Sequence, residues 1–483
     1  MKKIKVCLNI FLISFAVIYF SGCQKLDEKP FSTIAPETFY SNIPQCEASL
    51  AGAMAKLFSE WNDQSYGYAI PLFQRDDQFL GDHSNVSANW GSGLWGSHWK
   101  AILNCNAVVK AINKGTVGGA TAQDLELLAA QAKLIRGWNY FQLVRLWGGL
   151  PIYNESNEDA ALNPLPRATI ADTYAQIIAD FTYATEKLPA AWPAEKRGRP
   201  SKGAAYGLLA KAYLTMATNP LNAIDNYAKA RDAAKVVMTD GIHHLMPDVA
   251  DVFKRENKYG TEMLWNFIAN AADPGTSAQV WDVEHGWGDG SADPRLDSLW
   301  PSQPRKTAYL RIVNDAGQPY TQWGYPYCTK YIQPNITQDE WNSIQSQANM
   351  PIIRFADVLL IYAEASNMAA AGETAPQDAC DAINMVIDRA NGGPGVINPD
   401  PRASRATTAW TKAEFDKRVI MERNWELSFE WDRWFDLIRK RMLGDESVSP
   451  KYFGYTYKES DNLWPIPILD MQQNKLFVQN PGY

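Results

Sequence analysis

The segment Ser201-Lys-Gly-Ala-Ala-Tyr206-Gly-Leu-Leu-Ala-Lys211-Ala-Tyr-Leu214 carries apolar residues at Ala205, Leu208, Leu209, Ala212 and Tyr213. Those offsets, i, i+3, i+4, i+7 and i+8, form one face of a 3.6-residue helix, the stripe of a half-buried element. Asn219-Pro220 breaks it. A second alanine-rich stripe then runs through Tyr227, Ala230, Ala234 and Val237. Small residues on facing stripes let two helices approach closely, so the pair reads as an antiparallel helical hairpin.

The same layout recurs on either side. Thr121-x-x-Asp124 has the form of a helix start and precedes Leu127, Leu134, Trp138 and Phe141. Further on, Phe355, Val358, Leu359, Tyr362 and Ala363 mark one helix, and Ala379, Ile383, Val386 and Ile387 mark its partner. Thr411-x-x-Glu414 opens a final pair reaching about Leu443. No 34-residue self-similarity is visible, so these are degenerate tetratricopeptide-like hairpins. Between residues 241 and 350 the period dissolves into a stretch rich in Gly, Pro, Asp and Trp. A loop-dominated segment of that length in a compact protein is functional or disordered, and its aromatics argue against disorder. The expected fold is therefore mainly α: helical hairpins over 41–240 and 351–483, with an irregular, loop-rich ligand-binding subdomain over 241–350.

Of the 483 residues, 46% are hydrophobic and 20% charged, a globular composition. Lys plus Arg number 46 and Asp plus Glu 53, for a net charge of −7. A nucleic-acid partner is not expected, because neutralising phosphates needs a basic footprint. The 18 Trp, 22 Tyr and 18 Phe exceed what a core of this size requires, which sets some of these rings against a ligand.

Lys2, Lys3 and Lys5 followed by the apolar run Val6–Phe20 form a signal peptide over 1–22, too short for a comfortable membrane span. It ends in Phe20-Ser21-Gly22-Cys23. Small residues before a cysteine suit lipoprotein processing, which makes Cys23 the lipidation site and 23–40 a lipid-anchored tether. Several acyl chains on one residue anchor stably, at about 0.8 kcal/mol per buried CH₂. Cys46, Cys105, Cys328 and Cys380 have no C-x-x-C spacing, so neither a zinc nor a redox motif is supported.

Catalytic chemistry finds little purchase. His83, His98, His243, His244 and His285 form no H-x-x-x-H pair, and neither a G-x-S-x-G nor a Walker sequence occurs. No cofactor is expected. Asp289-x-Ser291-x-Asp293 has Pro294 where a calcium loop needs Gly and Trp300 where it needs a bidentate Glu. An EF-hand is rejected, while an irregular calcium site stays open. Glu422, Glu426 and Glu430 recur every four residues along a helix face. They read either as a glycosidase carboxyl pair or as ion-pair partners of Arg354, Arg423, Arg433 and Arg439, which would hold them ionised.

Sugars offer C–H faces that stack on rings and hydroxyl rims that want Asp, Asn, Gln or Arg. The stretch Arg75-Asp-Asp77-Gln-Phe79 through Gly81-Asp82-His-Ser-Asn85 and on to Asn89-Trp90-Gly-Ser-Gly-Leu-Trp95 supplies both in a loop. Asp77, Asp82, Asn85, Trp90 and Trp95 are its candidate contacts, whereas Trp99 is expected in the core. In the irregular region Trp287, between Gly286 and Gly288, is the best exposed candidate, with Trp323 and Tyr325 beside it.

Five stretches in order resemble the SusD/RagB family of outer-membrane nutrient-binding lipoproteins. They are Cys23-x-x-Leu26-Asp27-x-x-Pro30; Arg136-Gly-Trp-Asn-Tyr140-Phe141 with Gly148-Gly149-x-Pro151; Gly198-Arg199 into Leu214; Arg354-Phe-Ala-Asp357 to Ala365; and Glu422-Arg423 to Arg439 with Leu463-Trp-Pro-Ile-Pro467. The resemblance implies tetratricopeptide-like hairpins with a ligand-binding subdomain, and a lipoprotein on the outer membrane facing the cell exterior. It implies a SusC-like TonB-dependent transporter as partner, oligosaccharides as ligands and no catalysis. The three glutamates, as part of the signature, are expected to be scaffold. A surface glycoside hydrolase and a peptide-capturing lid of the transporter are the alternatives.

Overall fold

The computed structural model describes residues 39–62, 75–79, 91–157, 164–268, 291–314, 317–320, 324–332, 349–452 and 454–483. The amino-terminal part holds α1 (Ile43–Asn62), α2 (Ser92–Asn113), α3 (Ala122–Trp147), α4 (Ile170–Lys187), α5 (Lys202–Ala217) and α6 (Asn226–Met238). The irregular part holds β1 (Met263–Phe267), α7 (Pro294–Leu299), α8 (Pro304–Tyr309), β2 (Leu310–Arg311) and β3 (Tyr327–Cys328). After β4 (Met350–Arg354) come α9 (Phe355–Ala369), α10 (Gln377–Ala390), α11 (Lys412–Glu426), α12 (Arg433–Arg439) and α13 (Ile468–Gln473). The chain is mainly α, as its periodicity predicts.

Each helix from α1 to α6 packs on the next; α6 then packs on α9, and α9 on α10 and α11. The hairpins thus form one continuous array, and the residues between α6 and β4 are looped out of it. The loop is closed at its base by β1 and β4, which pair antiparallel from Met263↔Arg354 to Phe267↔Met350. Capping is local and follows the sequence. Thr121 and Thr411 each accept from the N3 backbone N–H while Asp124 and Glu414 reach back, completing two capping boxes.

Helix α5 departs from the half-buried stripe. It is buried nearly all round, because α4, α6, α9 and both strands of the β1–β4 ribbon pack on it. Its glycines permit this: a Cβ at Gly203 would lie 2.4 Å from His243 Cε1, and one at Gly207 2.8 Å from Ile353 Cδ1. Lys211 on this helix points inward and is neutralised by Asp357 at 2.9 Å and by Asp432.

The carboxy terminus folds back on the first half. Trp464 N–H donates to Leu146 O at 2.6 Å, Trp147 Nε1–H to Pro465 O at 3.1 Å, and Asn480 Nδ2 to Trp147 O at 3.0 Å. Cys46, Cys105, Cys328 and Cys380 are buried free thiols, and burial pushes Cys105 and Cys328 up to about 12. Among the described residues no helix is long and apolar enough to cross a membrane.

Candidate functional site

Residues Arg75–Phe79 are fixed by the carboxy-terminal third of the chain. Asp76 Oδ1 accepts from the N–H groups of Gln78 at 2.9 Å and Phe79 at 3.3 Å, which turns the backbone. Gln78 Nε2 donates to Asn424 Oδ1 at 2.8 Å, and its Oε1 accepts from Phe429 N–H at 2.8 Å. Lys451 Nζ donates to the carbonyls of Asp76 and Phe79 at 2.7 and 2.8 Å. Phe79 meets Phe429 edge to face at 5.0 Å.

Two other segments join this platform. Phe79 forms an antiparallel bridge with Ala292, and Asp293 N–H donates to Gln78 O at 2.9 Å. Ser291 bridges Tyr327, Ala292 N–H donates to Pro326 O at 2.8 Å, and β3 pairs with β2. One junction therefore joins residues 75–79, 291–293 and 324–328. Tyr325 lies in it, half-buried, and Tyr320 stacks on Tyr327 at 6.1 Å with the Arg311 guanidinium 5.8 Å from the Tyr320 ring. Tyr320 escapes a reading by composition because it sits in a polar run, Gly317-Gln-Pro-Tyr-Thr-Gln322.

Asp82, Asn85, Trp90, Trp287 and Trp323, like Cys23, lie outside the described residues. Two candidates are corrected. Asp77 is buried and forms a two-bonded pair with Arg433, Oδ1 to Nε at 2.6 Å and Oδ2 to Nη2 at 2.7 Å, so it anchors the loop from beneath. Trp95 falls in the first turns of α2 and is 2% exposed, wedged against Trp147 at 5.2 Å and Trp99 at 5.6 Å. Trp99 itself is half-buried at the edge of the core. Asp293, with its side chain accepting from Arg295 N–H, caps α7. Among the described residues no cluster of His, Cys, Asp or Glu could hold a metal ion.

A concavity away from the junction went unseen in the sequence. A groove of about 530 Å³ runs between α1, α3, the 194–200 turn and β1, with Met54, Phe58, Ile135 and Phe267 among its apolar walls. It shares Arg199, Tyr259, Trp265 and Asn266 with a cleft of about 200 Å³. Arg199 is clamped to Glu47 at 2.7 and 2.8 Å on its rim.

Known proteins match this chain along its length. A family described as "Starch-binding associating with outer membrane" matches residues 25–214, and one described as "SusD family" matches 210–483. The chain belongs to the SusD family. It is similar to SusD-like protein P2 of Formosa agariphila, 27% identical over all of both chains. A SusD homolog from Bacteroides thetaiotaomicron shares the fold with a TM-score of 0.74 at 22% identity, over 93% of this chain and 98% of that one. Surface glycan-binding protein A from Bacteroides fluxus does so at 0.73 and 20%, over 92% and 100%.

In this SusD-family chain the signature acids and arginines are internal. Glu422 and Glu426 are 0% exposed and Glu430 is 8%. Glu426 accepts from Arg305, Arg354 and Arg389 at 2.6–2.8 Å, and these guanidinium groups hold its carboxyl far below the usual range against the cost of burial. Glu430 lies beyond the end of α11 rather than on its face, yet still pairs with Arg354 and Lys330. Glu422 pairs with Arg305 and Arg418. Of the four arginines expected beside these acids only Arg354 is there. Arg423 serves Asp357 and Asp436, Arg433 serves Asp77, and Arg439 serves Glu364 and Asp436. Substrate cannot reach these carboxylates in the described structure.

Proposed function

We propose that this chain is a non-catalytic surface lipoprotein that binds oligosaccharides and delivers them to a SusC-like TonB-dependent transporter in the outer membrane, held there through Cys23. The observation that carries the reading is the junction: residues 75–79, 291–293 and 324–328, the described neighbours in sequence of the stretches that include Trp90, Trp287 and Trp323, meet on one buried platform held by ion pairs. A recognition surface needs contacts that rest on rigid, well-packed support. The name of the B. fluxus neighbour, a surface glycan-binding protein, points the same way. Burial of Glu422, Glu426 and Glu430 removes the acid pair that a hydrolase reading would use.

Stacking and hydroxyl hydrogen bonds made in water leave a modest net affinity. Trp90→Ala and Trp287→Ala are each expected to weaken glycan binding about tenfold in isothermal titration, the loss of one stacked ring. The polysaccharide should be recovered undegraded. Unchanged binding in both variants would overturn the site, and released product would overturn the non-catalytic role. Tagged full-length protein drawn from outer membranes is expected to bring a TonB-dependent barrel with it.

A further inference from the structure

We propose that the cleft between the 192–199 turn and the residues preceding β1 is a second binding site, for an acidic oligosaccharide whose carboxylate or sulfate is held by Arg197 and Lys258. The inference rests on reading the chain as a glycan binder, but it uses none of the residues of the junction.

The sequence Lys196-Arg-Gly-Arg-Pro-Ser-Lys202 gathers four cations in a chain of net charge −7. In the fold, Arg197 and Arg199 face His243 and Lys258 across the 200 Å³ cleft, and no Asp or Glu is among its described lining residues. Two of these groups are already satisfied. Arg199 is bonded at both ends to Glu47, with its guanidinium 5.4 Å from the Trp192 ring, and His243 Nδ1 bonds Asp240 Oδ2 at 2.6 Å. Arg197 and Lys258 have no carboxylate partner among the described residues; the Lys258 ammonium lies 5.6 Å from the Tyr259 ring. The cleft thus holds two uncompensated positive charges, in a frame fixed by the Arg199–Glu47 ion pair and the His243–Asp240 contact.

Rings stand beside those charges. Tyr259 is 41% exposed and Trp192 is half-buried, its Nε1–H donating to Pro200 O at 2.9 Å. Gly198 brings the turn down on this side: a Cβ there would lie 2.8 Å from Ile268 Cδ1 and 3.9 Å from the Tyr259 hydroxyl. A pyranose presents a C–H face to stack and, when it is a uronate or a sulfate ester, an anion at its edge. Guanidinium meets such an anion in a two-bonded fork. An acidic peptide would satisfy the charges but presents no flat C–H face to stack on the Tyr259 and Trp192 rings, so the sugar is the better fit.

The test is titration of the soluble chain with oligogalacturonate, a sulfated galactan oligosaccharide and an uncharged β-glucan oligosaccharide, at low and high salt. At least one acidic probe is expected to bind, more weakly as salt rises. The double variant Arg197→Glu, Lys258→Glu should weaken that binding by about tenfold or more. Tyr259→Ala, which keeps the charges, should weaken it as well. Which acidic probe responds separates carboxylate from sulfate as the recognised group. A thermal midpoint equal to that of the unmodified chain verifies that the variants fold. Acidic binding indifferent to all three substitutions overturns the proposal, as does the absence of acidic binding when an uncharged glycan binds. Capture of a poly-glutamate peptide in preference to both acidic sugars overturns it in favour of a protein partner. Failure of every glycan, charged or not, defeats the primary reading together with this one.

Discussion

Asp76 shows how the buried charges of this protein set its response to pH. Burial pushes its carboxyl up to about 7, Asp77 adds to the rise, and Lys451 with the N–H groups of Gln78 and Phe79 oppose it. A carboxyl at about 4 in the unfolded chain and about 7 in the folded one binds a proton on folding. Its stabilising contribution is complete below the unfolded value and is lost as pH rises through 7, at about 1.4 kcal/mol per pH unit within that window. Asp76→Asn keeps the oxygen that accepts from Gln78 and Phe79 but has no proton to lose. Urea unfolding of the variant should therefore show a shallower fall in stability from about pH 5 to pH 7, and parallel pH profiles for the two proteins would refute the assignment. Glu426 and Glu364 titrate in the opposite sense, since arginines depress both, and their contribution is lost only in acid. At this scale sequence reading meets its limit. Asp77 looks like a ligand contact because its partner, Arg433, is 356 positions away, and no local pattern announces such a pair. Trp95 was misread for a different reason: with Ile102 and Val109 it continues one buried face of α2, but the glycines just before it disguise where the helix starts.

Helices, by contrast, were readable because their determinants are local. Period, cap and break all lie within a few residues of one another, as the two capping boxes and the stop before Pro220 show. What periodicity cannot give is which glycines are structural. Gly52 in α1 is exposed, and a Cβ there would meet nothing within 4 Å. Gly137 in α3 faces α4, where a Cβ would lie 2.8 Å from Phe181 Cε1 and 3.1 Å from Asp180 Cβ. The second of these neighbours cannot yield easily, because Asp180 is held by Arg136 through bonds of 2.8 and 2.7 Å. Helix propensity alone favours alanine at both positions by up to about 1 kcal/mol. Gly52→Ala should accordingly raise the urea midpoint. Gly137→Ala should lower it, by the equivalent of about 1–3 kcal/mol, since overpacking outweighs propensity. A stabilised Gly137→Ala protein would mean that α3 and α4 are free to separate.

For the whole molecule, the question is whether two family matches mean two folding units. They meet at residues 210–214, which lie inside α5, the helix that α4, α6, α9 and the β1–β4 ribbon all cover. A cut there would strip α5 of one set of neighbours or the other and leave Lys211 without the carboxylates of Asp357 and Asp432. The carboxy-terminal residues compound this. Arg167 Nη1 donates to Val478 O at 2.7 Å and Arg167 Nη2 to Asn480 Oδ1 at 2.9 Å, while Trp464 and Asn480 hold the end of α3. The platform under the candidate site is built the same way, with residues 75–79 resting on 424–451. An isolated buried charge whose partner has been removed costs about 3–5 kcal/mol, and several would be stranded at once. Residues 25–214 and 210–483 expressed separately should therefore show no cooperative urea transition by circular dichroism, whereas residues 24–483 should unfold in one. A sharp, independent transition in either fragment would show that the array of hairpins is divisible and that the ion pairs spanning it contribute specificity more than cohesion.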